Sequence, residues 1–151
     1  MSAIQNIFSK LAHVARNSEL LQQHAAVLTH SGYRPMSQTT GYNHYVACHN
    51  SADKPSAHAE KVALTKFRRY HQVRDANDAK IRRKLKKTSI LVVRLNTTAV
   101  PNDDACVHLP QFKNSAPCSQ CTALLKVYGV KKVIFTTDCG EPQCQKGKSV
   151  R

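Results

Sequence analysis

The chain contains no run of apolar residues near the ~20 needed to span a bilayer, so a membrane-spanning helix is excluded as its organising element. Its N-terminus also lacks the compact apolar stretch and small-residue cleavage site of a secretory signal. Instead Ile4, Ile7, Phe8, Leu11, Val14 and Ala15 recur at helical spacing and predict a packed amphipathic helix. Arginine is scarce in that stretch and Glu19 follows it, which argues against a mitochondrial presequence. Acidic residues are few as well: nine Asp and Glu against 23 Lys and Arg leave a net charge of +14. Without an export signal, the six cysteines are expected to be reduced thiols in the cytoplasm or nucleus, not an extracellular framework. At 151 residues and 41% apolar, a single globular domain is expected over residues 1–137, followed by a short polar basic tail over 138–151.

Along the chain, a turn is expected at Asn17-Ser18 and a buried strand over His24–Leu28, ended by Ser31-Gly32. A second strand is predicted within Arg34–Thr40, closed by Gly41-Tyr42-Asn43. Ser56 is a reasonable N-cap for a helix from about Ala57 to His71. Asp75–Lys87 reads as a charged helix, and Ser89–Leu95, rich in β-branched residues, as the clearest strand. A long connection with Pro101 and Pro110 follows. Pro117 then stands at the start of a helix running to Tyr128, before Gly129. Lys132–Thr137 reads as the last strand, and no element is expected beyond Asp138. Strands alternating with helices imply a layered α/β fold.

The chemistry concentrates in His58-Ala59-Glu60 and Pro117-Cys118-Ser119-Gln120-Cys121. Catalytic zinc takes three protein ligands and leaves a fourth position open. Cys118 and Cys121, three apart at a helix start, share one face of the first turn, where unpaired amides favour anionic sulfur. His58 supplies the third ligand. Glu60 cannot readily join the same ion from two residues away, but it can hold and move a proton beside it. A closed structural zinc site is the competing reading; it would need a fourth ligand and leave Glu60 without a task. Together the two motifs form the H-x-E…P-C-x-x-C signature of zinc-dependent nucleobase deaminases, in which activated water attacks the base and ammonia leaves.

On these residues the chain resembles the cytidine and deoxycytidylate deaminase superfamily. The likeness extends to His24-Ala25-Ala26-Val27, Gly41-Tyr42-Asn43, Asn114-Ser115-Ala116 and Gly129-Val130-Lys131-Lys132-Val133, and covers roughly Leu11 to Thr137. The resemblance implies a three-layer α/β/α fold with a mixed central sheet of four to five strands, Zn2+ as cofactor, and deamination of cytosine in a (deoxy)nucleotide or single-stranded nucleic acid. It assigns Asn43 to the sugar of the substrate, with Ser115 and Ala116 beside it; a turn asparagine in the left-handed region is the alternative for Asn43. Gly-Tyr-Asn is more similar to deoxycytidylate and tRNA adenosine deaminases, since Tyr45 stands where free cytidine deaminases place a glutamate. Choice of cytosine over adenine is left open. The resemblance also implies a homo-oligomer or a larger assembly.

The positive charge is concentrated between Lys61 and Lys87, where Arg68, Arg69, Arg82, Arg83, Lys84, Lys86 and Lys87 are candidates for contact with phosphate. A solvated surface, a nuclear address or a heparin-like patch would use the same run. Aromatics are few at 6%, leaving Tyr42, Tyr45, Phe112 and Tyr128 as candidates to stack a base. Cys139 and Cys144, with Cys48-His49 or Cys106 and His108, could hold a second, structural zinc. The competing function is a catalytically inactive deaminase fold serving as a basic nucleic-acid-binding or assembly protein.

Overall fold

The computed structural model describes residues 2–46, 55–74, 78–97, 112–138 and 142–146. Its frame is a mixed sheet whose strands alternate their side chains between two helical layers. In β1 (His24–Thr29), Ala25 and Val27 face one layer while Ala26 and Leu28 face the other. In β5 (Ser89–Leu95), Leu91, Val93 and Leu95 share the first face, and Ile90 and Val92 the second. In β7 (Lys132–Phe135), Ile134 goes with the first set, Val133 and Phe135 with the second. Both faces of these strands are therefore buried, which is why they read as continuous apolar runs.

Helix α1 (Ala3–Ala15) covers the first face with Ile7, Phe8, Leu11, Ala12 and Ala15. Ser2 caps it, and its hydroxyl and the Gln5 side chain satisfy each other's backbone amides. Helices α2 (Ala59–Tyr70), α3 (Ala79–Leu85) and α4 (Ser119–Tyr128) cover the second face with Ala63, Leu64, Phe67, Ile81, Leu85, Leu125 and Tyr128. The three-layer α/β/α architecture is thus the observed one.

Strand order in the main sheet is β2-β1-β5-β7-β8, where β2 is Gly41–Tyr42 and β8 is Gln143–Lys146. β6 (Phe112–Lys113) also pairs with β5, at Arg94 and Leu95, beyond the part of β5 that β7 occupies. The β5–β7 pair is parallel and every other pair in this sheet is antiparallel. A separate two-stranded ribbon joins β3 (His44–Tyr45) to β4 (Ser56–Ala57).

Several expectations need correction. The second strand is Gly41–Tyr42, not a segment of Arg34–Thr40. Pro35 makes one isolated bridge to Thr29, Met36 N–H donates to Leu28 O at 2.8 Å, and the Thr39 hydroxyl accepts Leu28 N–H at 3.3 Å and donates to Met36 O at 2.9 Å, so the pairing is irregular. Gly41 is required because a Cβ there would lie 2.6 Å from Val62 Cγ1, so β2 packs backbone against α2. Ser56 is a strand residue, and α2 begins two residues later than expected with His58 as its N-cap. Likewise Cys118, not Pro117, forms the boundary of α4, which ends as expected at left-handed Gly129, φ 79°. Within the expected helix over Asp75–Lys87, α3 spans Ala79–Leu85, and residues 75–77 lie outside the described residues. The tail, expected to carry no element, supplies β8. All four of its residues are exposed, so it has no apolar alternation to betray it and is held by backbone pairing to β7.

Candidate functional site

Two helix starts converge at the carboxyl end of β5. His58 precedes α2 with extended φ/ψ of −72° and 150°, and its side chain makes no capping bond, which leaves the imidazole available. Cys118 precedes α4 at −66° and 169°, and its sulfur accepts the Cys121 N–H at 3.5 Å. His58 Nδ1 lies 3.6 Å from Cys118 Sγ and 3.3 Å from Cys121 Sγ. The donor atoms of His58, Cys118 and Cys121 all fall within 4.8 Å of one another, a combination that no other described residues match. A tetrahedral ion with Zn–S of ~2.3 Å and Zn–N of ~2.0 Å sets its N···S separations at about 3.6 Å. The donor set therefore fits Zn2+ in both chemistry and spacing.

His58 and Cys118 are exposed and Cys121 is buried, so the open side of the triad faces outward into a cavity of about 480 Å³, a size suited to a small ligand. Glu60 lines the same cavity from the first turn of α2 and is only 5% exposed. Burial pushes its carboxyl above the ordinary carboxylate range, against smaller opposing effects from its own backbone amide, His58 and a hydrogen bond with Cys121. Burial first, then the neighbouring Glu60 carboxylate, pushes the Cys121 thiol upward, so without metal it holds its proton.

Asn43 also lines the cavity. Its Oδ1 accepts the His24 N–H at 2.9 Å and its Nδ2 donates to Gln22 O at 2.6 Å. It is absent from the positive-φ residues, which removes the left-handed-turn alternative. Asn43 thereby ties the 20–22 segment, which forms one cavity wall, to the start of β1. Ala116 lines the cavity too, its N–H bonded to Asn114 Oδ1 at 2.9 Å. Ser115 does not. It is buried, donates to Val92 O at 2.8 Å and accepts the Thr136 N–H at 2.9 Å, so its hydroxyl pins the approach to α4 onto the sheet.

Sequence reasoning missed His24 and Arg94, which face the cavity from opposite positions in the β1–β5 register. Each ends an otherwise apolar same-face series, His24-Ala26-Leu28 and Arg94-Val92-Ile90, and that pattern was the available signal. Arg94 is the one Lys or Arg among the described residues lining the cavity. Burial pushes the His24 imidazole below its ordinary value, with a partial counter-pull from the Gln22 carbonyl and further lowering by Arg94 and His58. Of the aromatics considered, Tyr45 lines the cavity. Tyr128 is a core residue, Phe112 packs its ring 6.1 Å from that of Phe8, and Tyr42 packs against the α1-side core.

None of the expected phosphate-contacting residues lines the cavity. The Arg68 guanidinium bonds to Val73 O, Arg74 O and Tyr128 Oη, and Arg82 packs within 3.8 Å of where a Gly129 side chain would start. Arg69, Arg83, Lys84, Lys86 and Lys87 are exposed. For the second metal site, Cys144 is exposed on β8, while Cys48, His49, Cys106, His108 and Cys139 lie outside the described residues. No helix among the described residues is long and apolar enough to cross a membrane.

A layered α/β fold with a His-Cys-Cys centre opening onto a cavity defines a zinc-site protein whose fourth metal position is available to chemistry. Residues 1–137 match the sequence profile of the cytidine and deoxycytidylate deaminase zinc-binding region, and the chain belongs to that family. The crystal structure of a cytidine deaminase from Burkholderia pseudomallei is similar in fold, with a TM-score of 0.57 at 14% identity over 95% of this chain and 91% of that one. No curated protein matches the sequence.

Proposed function

We propose that the protein is a zinc-dependent hydrolytic deaminase of cytosine carried in a nucleotide or in single-stranded nucleic acid. The observation that carries this reading is the placement of a buried carboxyl, Glu60, beside the open face of the His58-Cys118-Cys121 centre. When bound, zinc supplies Lewis-acid chemistry that makes water acidic enough to react near neutral pH. Glu60 takes a proton from the attacking water and passes it to the ring nitrogen, then takes the remaining proton of the added hydroxyl and delivers it to the amine as the C–N bond breaks, so that cytosine plus water gives uracil plus ammonia. Its raised proton affinity suits a group that must hold a proton between these two deliveries. Asn43 holds the wall against which the sugar would lie, and Ala116 leaves room beside the cysteine turn. Arg94 places a permanent cation in the cavity, which favours a substrate bearing phosphate over a neutral nucleoside.

The test is ammonia release from cytidine, deoxycytidylate and short cytosine-containing single strands by zinc-loaded protein. Glu60→Gln is expected to retain zinc by metal analysis while losing ~10²–10⁴-fold in kcat/KM. Phosphate-bearing substrates are expected to exceed cytidine. Release of ammonia by Glu60→Gln at the wild-type rate overturns the role of Glu60. Absence of ammonia from every substrate, with zinc bound and single strands retained, returns the inactive nucleic-acid-binding protein as the better reading.

A further inference from the structure

The cavity sits where α2 and α4 begin and β5 ends; the opposite ends of the same elements carry the positive charge. α2 finishes with Arg68 and Arg69, α3 with Arg82, Arg83 and Lys84, and α4 with Lys126. Lys86 and Lys87 lead into β5, Lys131 and Lys132 into β7, and Lys146 closes β8 directly across from Lys132. Packing joins these ends: Lys84 Nζ lies 3.4 Å from His71 Nδ1, Arg82 borders Gly129, and Lys131 N–H bonds to Thr88 O. Two independent lengths give the distance from this end to the cavity. From Ser89 to Arg94, β5 advances roughly 17 Å, and the 12 residues of α2 rise about 18 Å.

A helix C-terminus gains from a nearby cation, but only by ~0.3–1 kcal/mol. Three such ends do not account for this many cations, and Lys132 facing Lys146 is a pairing that repels. The described acidic residues are Glu19, Glu60, Asp78 and Asp138; Glu60 is in the cavity, Asp138 is bonded to Asn114 and Asp78 caps α3. Among the described residues the cluster therefore lacks internal compensation. Beside it Tyr70 is 56% exposed, its ring 5.1 Å from that of His71 and nearly perpendicular to it. A cationic surface with an aromatic face is the combination that single strands use, through phosphate attraction and base stacking.

We propose that this end of the molecule is a docking surface for single-stranded nucleic acid, in which the exposed Lys and Arg side chains hold phosphates and Tyr70 stacks a base. The inference rests on the deaminase reading in one respect: it makes the strand that feeds the cavity bind first some 17 Å away, on the order of five stacked nucleotides at ~3.4 Å each. The surface adds affinity for strands and nothing for a free nucleotide.

Fluorescence anisotropy of a labelled oligo-dT 20-mer, with no cytosine to turn over, tests this on the zinc-loaded full chain. Combining Arg83→Glu, Lys84→Glu and Lys87→Glu should weaken binding tenfold or more (~10-fold) at low salt and reduce the salt slope by about 2, at ~0.7 per phosphate contact. Tyr70→Ser should weaken binding roughly fivefold without changing the slope. The triple variant should stay folded, losing at most about 1–2 kcal/mol from the two cations reversed at the end of α3, and its turnover of deoxycytidylate should be unchanged, since the surface lies beyond the ~10 Å Debye length at 0.1 M salt. Equal binding by wild type and triple variant overturns the proposal. So does tighter binding to phosphatidylserine vesicles than to oligo-dT with no effect of Tyr70→Ser, which marks a membrane surface. A chain that binds oligo-dT through these residues and deaminates nothing supports the surface and overturns the deaminase reading.

Discussion

Ser115→Ala separates two readings of one hydroxyl. By resemblance that serine lies beside the substrate; in the structure its Oγ–H donates to Val92 O at 2.8 Å and its lone pair accepts Thr136 N–H at 2.9 Å. Thr136 N–H has a second, longer bond to Val92 O at 3.3 Å, so truncation weakens its satisfaction without abolishing it. Val92 O, at the centre of the sheet, loses its shorter partner. Leaving a buried group underserved costs ~1–3 kcal/mol, and the surviving bond keeps the total near the middle, about 2 kcal/mol. For a chain of this size that is a fall of roughly 4–8 °C in melting temperature. KM for deoxycytidylate should stay within about twofold, because Ser115 does not line the cavity. Thermal melts at fixed free zinc, with steady-state ammonia release on the same samples, measure both quantities. A tenfold rise in KM (~10-fold) with an unchanged melting temperature would refute the assignment of this hydroxyl to the sheet.

Two further perturbations test the frame and the cavity. Gly41→Ala places a methyl 2.6 Å from Val62 Cγ1 and 3.3 Å from Ala63 N, which should cost ~1–3 kcal/mol by urea denaturation. Val62→Ala in the same chain should recover part of that loss, and strict additivity of the two changes would show that the contact is not the cause. His24, whose folded pKa lies below its ordinary 6.5, stays neutral where the unfolded chain takes up a proton. Stability is therefore lost as pH falls below about 6.5, at no more than ~1.4 kcal/mol per pH unit for one proton. His24→Gln should flatten the pH dependence of stability in that window relative to wild type. Identical slopes would remove His24 as a contributor.

The metal centre was legible because zinc chemistry restricts both residue type and spacing, so His58, Cys118 and Cys121 were readable without any knowledge of packing. Ser89–Leu95 was legible for a different reason: a strand buried on both faces advertises itself as an apolar run. The same logic explains the misses. β2 has two residues, and its signature is a missing side chain at Gly41, which makes sense only once α2 is in place. β8 is wholly exposed and carries no pattern. His24 and Arg94 are 70 positions apart, and only the register of β1 on β5 makes them neighbours at the cavity. Ser56 resembled a helix cap because local chemistry allows it, but pairing of β4 with β3 claims the residue and delivers His58 to the helix start.

Helix polarity is consistent with the metal centre and the positive charge lying at opposite ends of the same elements, although it does not account for the number of cations. α2 and α4 both begin at the cavity, where the metal-ligand triad and Glu60 are placed. Both finish among the basic residues, where their carbonyl ends favour cations. Such an arrangement is self-consistent for stability near the helix ends, where the dipole effect is confined to the first and last turns. Under the proposed docking of a single strand, phosphates would be held at the basic end and an extended strand would reach from there to the metal centre. Arg94 is what the cavity itself offers an anion, a single charge suited to a single phosphate. On the two proposals made above, capture of the strand and deamination would fall at opposite ends of the same helices.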